Sequence, residues 1–244
     1  MILARAYFGW DTGQFGLAFD VACHVGTLLA ILVYFRRELQ TMAASVPGML
    51  ARPMPEPARQ IWLIAAGTMP IVIAGLLFSD VVESTMRTPQ VAGVTLALGA
   101  LAMMAAERLG ARNRSEASLT VPEALGLGCA QAAAIVPGVS RSGVTIALAI
   151  LLGLRRDSAA RFSFLLGIPA ILAAAGHAGL DVAKLGMGSG TTMLFAAGML
   201  SSATVGYVTV KYFIRYLAGH SIDAFAWYRL ALAASVMVWL MRHP

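Results

Sequence analysis

One stretch of the chain collects the residue types that hold phosphate: Pro137-Gly138-Val139-Ser140-Arg141-Ser142-Gly143-Val144-Thr145. Pro and Gly stop a helix and permit a tight turn. Ser140 is placed to cap the helix that follows, whose first N–H groups and dipole favour an anion. Arg141 adds a permanent charge on a planar fork suited to phosphate oxygens. Ser142 and Thr145 lie three apart and put two hydroxyls on roughly one helical face. The spacing predicts a phosphate cradle, with Arg141, Ser140 and Ser142 as catalytic candidates and Thr145, Gly138 and the upstream Gln131 as substrate-binding ones. The plainer alternative is that Ser140 only caps and Arg141 snorkels to an interface. Two Ser, a Thr and a broken hairpin around the Arg favour a site, because an ionisable residue at membrane depth is a functional residue by default.

The elements that must carry this cradle are membrane helices. Of 244 residues, 59% are hydrophobic and only 12% charged, about half the charge a wet surface requires. Apolar segments fall at about 17–36, 60–79, 88–107, 121–136, 141–154, 160–182, 191–217 and 221–241. Six are near the ~20 residues needed to cross a ~30 Å hydrocarbon core. The pair 121–136 and 141–154 is shorter and is split by Pro137-Gly138, the pattern of a broken, re-entrant hairpin that lines a site at membrane depth. The chain therefore reads as a single all-α polytopic membrane domain over 1–244, with no soluble domain.

Lys and Arg set the orientation. Twelve lie in the loops that hold Arg36 to Arg59, Arg108 to Arg114, Arg155 to Arg161, and Lys211 with Arg215, against four (Arg5, Arg87, Lys184 and Arg242) on the other side. The first set is expected in the cytoplasm, so the segment 121–154 must enter and leave there with its Pro-Gly tip pointing outward. The same bias accounts for the net charge of +6 without nucleic acid as a partner. Residues 37–59 and 108–120 read as cytoplasmic linkers. Cys23 and Cys129 sit in apolar runs and read as packing residues.

Gly128-Cys-Ala-Gln131, continuing through Pro137-Gly-Val-Ser-Arg-Ser-Gly-Val-Thr145, resembles the undecaprenyl-diphosphate phosphatase (bacitracin-resistance) family. The likeness extends through Arg161-Phe-Ser-Phe-Leu-Leu166 with Pro169, Phe19-Asp20 to Arg36-Arg37, and Tyr228-Arg229. It implies removal of the terminal phosphate of a C55 polyprenyl diphosphate on the outer side of the bacterial inner membrane, which recycles the carrier for peptidoglycan synthesis. It also implies an inverted repeat with two re-entrant hairpins and dependence on a divalent cation, Mg²⁺ or Ca²⁺, whose ligands are unknown. By this resemblance Arg141 binds the diphosphate, flanked by the hydroxyls of Ser140, Ser142 and Thr145, with Gln131 as a further polar position. The expected partners are the polyprenyl diphosphate lipid, the membrane and a second copy of the chain as a homodimer.

The family's other motif, a Glu-x-x-x-Glu followed by Pro-x-Ser-Ser-x-x-His, is not in this sequence: no Glu precedes Glu38, and the first His is His24. An internal comparison points the same way. Phe19 and Gly26 stand in the relation of Phe162 and Pro169, and Gly9 in that of Gly153, which would put the counterpart of Pro137 about seven residues before Met1. The expectation is a first repeat shortened at its N-terminus (its remainder 1–107), a linker at 108–120, and a second repeat at 121–244 that begins with the hairpin 121–154. Met1 is then expected to be an internal or misassigned start, with the attacking group or base supplied from upstream.

Other residues carry less. Asp20 faces the site or caps its helix, His24 reads as packing, Glu107 as an interface mark, and Arg229 as structural or a contact to lipid phosphate. Two rival functions use the same features: a polyprenyl-phosphate transporter or flippase, and a non-catalytic binder of polyprenyl diphosphate.

Overall fold

The computed structural model describes residues 17–185 and 189–242. Among them are nine α-helices: α1 (Leu17–Tyr34), α2 (Arg36–Ala44), α3 (Glu56–Thr85), α4 (Pro89–Leu109), α5 (Val121–Ala132), α6 (Arg141–Leu151), α7 (Arg156–Leu185), α8 (Ser189–Leu217) and α9 (Asp223–Arg242). Five of these, α3, α4, α7, α8 and α9, are long and apolar enough to cross a bilayer, and α1 with the 70° bend into α2 makes a sixth. The all-α, multi-pass reading of the sequence therefore holds. The linker reading of 37–59 needs correction: its first part is helix α2, because nothing between Arg36 and Ala44 breaks a helix and the first Pro is Pro47. Gly9 and Arg5 lie outside the described residues.

Local chemistry sets the helix ends that matter. Thr88 caps α4, its hydroxyl accepting the Val91 N–H at 3.3 Å with Pro89 in the first turn. Thr120 opens α5 with a full capping box: its hydroxyl accepts the Glu123 N–H, and the Glu123 carboxylate accepts the Thr120 N–H at 2.8 Å. A 3₁₀ turn, Ala133–Ile135, then carries the chain out of α5 to Pro137-Gly138.

The segment 121–154 is a hairpin that returns to the face it came from. Its two ends are hydrogen-bonded to each other: Asn113 and Arg114 both donate N–H to the Gly153 carbonyl at 2.9 Å, and Arg155 N–H donates to the Arg114 carbonyl at 2.8 Å. Gly153 has φ +90°, a left-handed turn that L side chains resist, and there it ends α6. The tip meets Ala92 and Thr95, near the opposite end of α4. Twelve residues separate Thr95 from Glu107, or ~18 Å at ~1.5 Å per residue, so the tip lies past the middle of a ~30 Å core.

Charge clusters at the end where the hairpin starts and finishes. Glu107, buried at 6% exposure, takes Arg112 at 2.6 Å and also Arg156, and accepts the Ile222 N–H at 3.3 Å. It thus ties α4, α7 and the start of α9 together, a larger role than an interface mark. Arg161 pairs with Glu38 and, at 3.5 Å, with Glu116, and Arg114 binds both oxygens of Glu123. In the apolar layer the helices meet through small residues, as expected where lipid supplies no hydrophobic drive. Gly67 of α3 lies backbone to backbone on Gly128 of α5, and Gly26 of α1 on Met199 and Ser202 of α8.

The Arg114 guanidinium and the Thr120 cap hold the Glu123 carboxyl down at about 2, well below its ordinary 4.5. A depressed carboxylate stabilises the fold above its ordinary value and loses that contribution as pH falls through its folded one. Glu123→Gln is therefore expected to lower the melting temperature in detergent at pH 7. The gap to the parent protein should close between pH 4.5 and 2, as read by tryptophan fluorescence on heating.

Candidate active site

The tip is built from backbone that leaves helical geometry at membrane depth, where each free carbonyl needs a partner. The Pro137 carbonyl accepts the Thr95 hydroxyl of α4 at 2.6 Å. The Gly138 carbonyl accepts an N–H of Arg229, from α9, at 3.2 Å. Gly138 itself has φ +87°, and a Cβ there would run into the Thr95 hydroxyl and the Ala92 carbonyl. Glycine is thus required on two counts, backbone angle and space.

α6 starts three residues later. The Ser140 hydroxyl accepts the Gly143 N–H at 3.1 Å, which caps the helix and leaves the other first-turn N–H groups free to meet an anion. The Arg141 guanidinium lies against α7, its Cζ 3.6 Å from where a Gly167 Cβ would stand. A glycine at 167 gives the flat group a place to lie across the helix. The Arg229 guanidinium uses Gly99 of α4 in the same way and donates weakly to the Leu96 carbonyl at 3.5 Å. It is 9% exposed, and its Nε has no partner among the described residues. No Asp or Glu among the described residues pairs with either arginine. Arg141 thus heads α6 and Arg229 bonds the turn just before it, two permanent cations at membrane depth with no carboxylate partner among the described residues, which is the charge that an anion site needs.

The other expected residues divide. Ser142 stands half-buried in the first turn of α6 beside Arg141. Thr145 is fully buried, and its hydroxyl donates to the Arg141 carbonyl at 2.8 Å. This bond to the carbonyl four residues earlier braces the first turn. Gln131 is fully buried in α5, and neither of its amide atoms has a partner among the described residues. A buried amide in that state marks a place for water or a polar ligand. His24 sits on the exposed face of α1, its Nδ1 2.6 Å from the Asp20 carbonyl of its own helix.

Three contributors were missed or undervalued in the sequence: Thr95, Gly167 and Arg229. Thr95 and Gly167 carry no local signal in an apolar helix. Arg229 did carry one, a charge inside an apolar run, but only the packing of α9 on α4 brings it to the tip.

The cavity beside the tip is lined by α4, the hairpin and Arg229, with no carboxylate among the described residues that line it. Among the described residues no three His, Cys, Asp or Glu side chains gather as a metal site.

A family model described as bacitracin resistance protein BacA matches residues 1–235. The chain is 45% identical over 99% of its length to an undecaprenyl-diphosphatase of Rubrobacter xylanophilus, covering 90% of that protein. It is 39% identical to an undecaprenyl-diphosphatase of Pelobacter propionicus, covering 87%, and 40% identical to one of Thioalkalivibrio sulfidiphilus, covering 89%, each over 97% of this chain.

Gly138→Ala is expected to leave a folded, helical protein and to cut phosphate release by about a hundredfold, since a shift of ~1 Å in a positioned group can cost that much. Thr95→Val, which frees only one carbonyl, should cost less. Circular dichroism and size exclusion establish the fold, and initial rates give the loss.

Proposed function

The chain belongs to the BacA family of bacitracin resistance proteins, and from that membership we propose that its hairpin tip is the element that grips the diphosphate of its lipid substrate. The protein hydrolyses undecaprenyl diphosphate to undecaprenyl phosphate and inorganic phosphate, a hydrolase reaction that recycles the lipid carrier. The relatives it matches do not favour the transporter or the inert binder. The reaction breaks the bond between the terminal phosphorus and the bridging oxygen. Oxygen from water joins that phosphorus, and the bridging oxygen leaves on the lipid phosphate.

The observation that supports this role for the tip is the Arg141 guanidinium at the capped N-terminus of α6, laid across Gly167 and with no carboxylate partner among the described residues. Arg141 holds the terminal phosphate with a two-pronged contact and stabilises the charge that shifts on to its oxygens as the bridge breaks. Ser142 donates to the same phosphate, Ser140 donates to the phosphate beside it, and free N–H groups of the first turn add to the field. Gly138 allows the turn that presents the N-terminus of α6, Gln131 donates or accepts from α5, and Thr145 keeps the turn in shape. The inner bacterial membrane and a tip that faces the periplasm belong to this proposal, supported by the Arg and Lys bias toward the opposite end.

The divalent cation, Mg²⁺ or Ca²⁺, is proposed on the family resemblance alone. The described residues around the tip offer hydroxyls and guanidinium groups but no carboxylate, so they do not form a set that would hold it, and no step above runs through it. Chelation with EDTA should stop turnover, and added Mg²⁺ or Ca²⁺ should restore it. Unchanged turnover after exhaustive chelation would remove the cation from the account.

Phosphate release from farnesyl or undecaprenyl diphosphate, with the protein in detergent, tests the role of the tip. Arg141→Ala should lower kcat/KM by about 10²–10³, the cost of removing one preorganised donor. Arg141→Lys should recover only part of it, because an ammonium keeps the charge and loses the fork. Arg141→Ala at parent activity would rule the tip out as the diphosphate grip.

A further inference from the structure

A crevice of ≈ 230 Å³ runs from the tip to the lipid-facing surface between α4 and the hairpin. Its outer walls are apolar and exposed: Leu98, at 60%, and Ala102 on α4, and Ala133 on the far side, with half-buried Val144 behind them. Its inner end is Ser140 and the buried Arg229. One end therefore suits hydrocarbon and the other an anion, which is the shape of an amphiphile with a charged head.

We propose that this crevice receives the isoprenoid chain of the diphosphate substrate, with the phosphate that carries the chain placed at Ser140 and Arg229. The inference rests on the phosphatase reading and adds a direction to it. Arg141, turned toward α7, takes the terminal phosphate that leaves, and Arg229, on the α4 side, takes the phosphate that stays on the lipid. Three observations carry the assignment. The crevice is continuous with the capped N-terminus of α6. Arg229 brings a charge that no carboxylate among the described residues neutralises, so the head it meets is anionic. And the volume is below the ~300–1,000 Å³ that encloses a drug-sized ligand, so only the chain next to the diphosphate fits inside. The remainder of a long polyprenyl chain stays in the bilayer, where the open mouth between Leu98 and Ala133 releases it. An ordinary phospholipid could offer an acyl chain to the same walls, but it would not bring a diphosphate to both arginines.

Filling the mouth separates chain from head. Ala102→Phe should raise KM for farnesyl and undecaprenyl diphosphate about tenfold and weaken inhibition by farnesyl monophosphate by a similar factor. Inhibition by inorganic pyrophosphate, which needs no chain, should stay as in the parent. Ala105→Phe, also on an exposed part of α4 but outside the crevice, should change none of these. Equal kinetics for Ala102→Phe and the parent would overturn the proposal, as would a matching loss for pyrophosphate. A farnesyl diphosphate with a photoreactive group in its first isoprene unit gives a readout that needs no turnover. Labelling of peptides that contain Leu98 or Val144, competed by farnesyl diphosphate and not by phospholipid, supports the crevice. Labelling confined to α1 or α8, or competed equally by phospholipid, sinks it. If the parent releases no phosphate while the crevice is still labelled, the phosphatase reading fails and the chain site stands.

Discussion

Everything at this site depends on how a broken backbone is made tolerable at membrane depth. The turn at Pro137-Gly138 interrupts the helix ladder where no bulk water can replace the lost bonds. Two helices from elsewhere in the chain supply the partners: Thr95 of α4 for the Pro137 carbonyl and Arg229 of α9 for that of Gly138. The hairpin's other end is closed by backbone bonds between 113–114 and 153–155 and by the ion pairs around Glu107 and Glu123. The tip is therefore held at both ends, and the N-terminus of α6 is aimed at one fixed point.

A site held in this way can use charges that would otherwise be very costly. An isolated ion in a low-dielectric medium is expensive, and the cost falls only when an opposite charge is near. For Arg141 and Arg229 no carboxylate among the described residues plays that part. In the function proposed above the substrate's diphosphate is the counter-charge, and desolvation would raise the field that it meets. Glycines serve the same end. Gly167 and Gly99 let the two flat guanidinium groups lie against α7 and α4, and Gly138 allows the turn itself.

The residues of the tip were legible in the sequence because their signals are local. Pro, Gly and a capping Ser declare a turn and a helix start within a few positions, and Arg in an apolar run declares cost. Both half-helices and all six long segments were legible from hydropathy for the same reason. Spacing put Thr145 on the Ser142 face but did not show its bond back to the Arg141 carbonyl four residues earlier. The role of Arg229 could not be read, since it depends on α9 packing against α4, a contact more than a hundred positions apart. Glu107 was undervalued likewise, because its two arginines come from different elements.

The most direct test of the central claim is a structure with a non-hydrolysable farnesyl methylenediphosphonate bound. The account predicts the terminal phosphonate at the N-terminus of α6, within hydrogen-bond distance (~3 Å) of the Arg141 guanidinium, with the second phosphonate toward Ser140 and Arg229. A ligand bound with full occupancy elsewhere, with both arginines more than a water's width from it, would contradict the account.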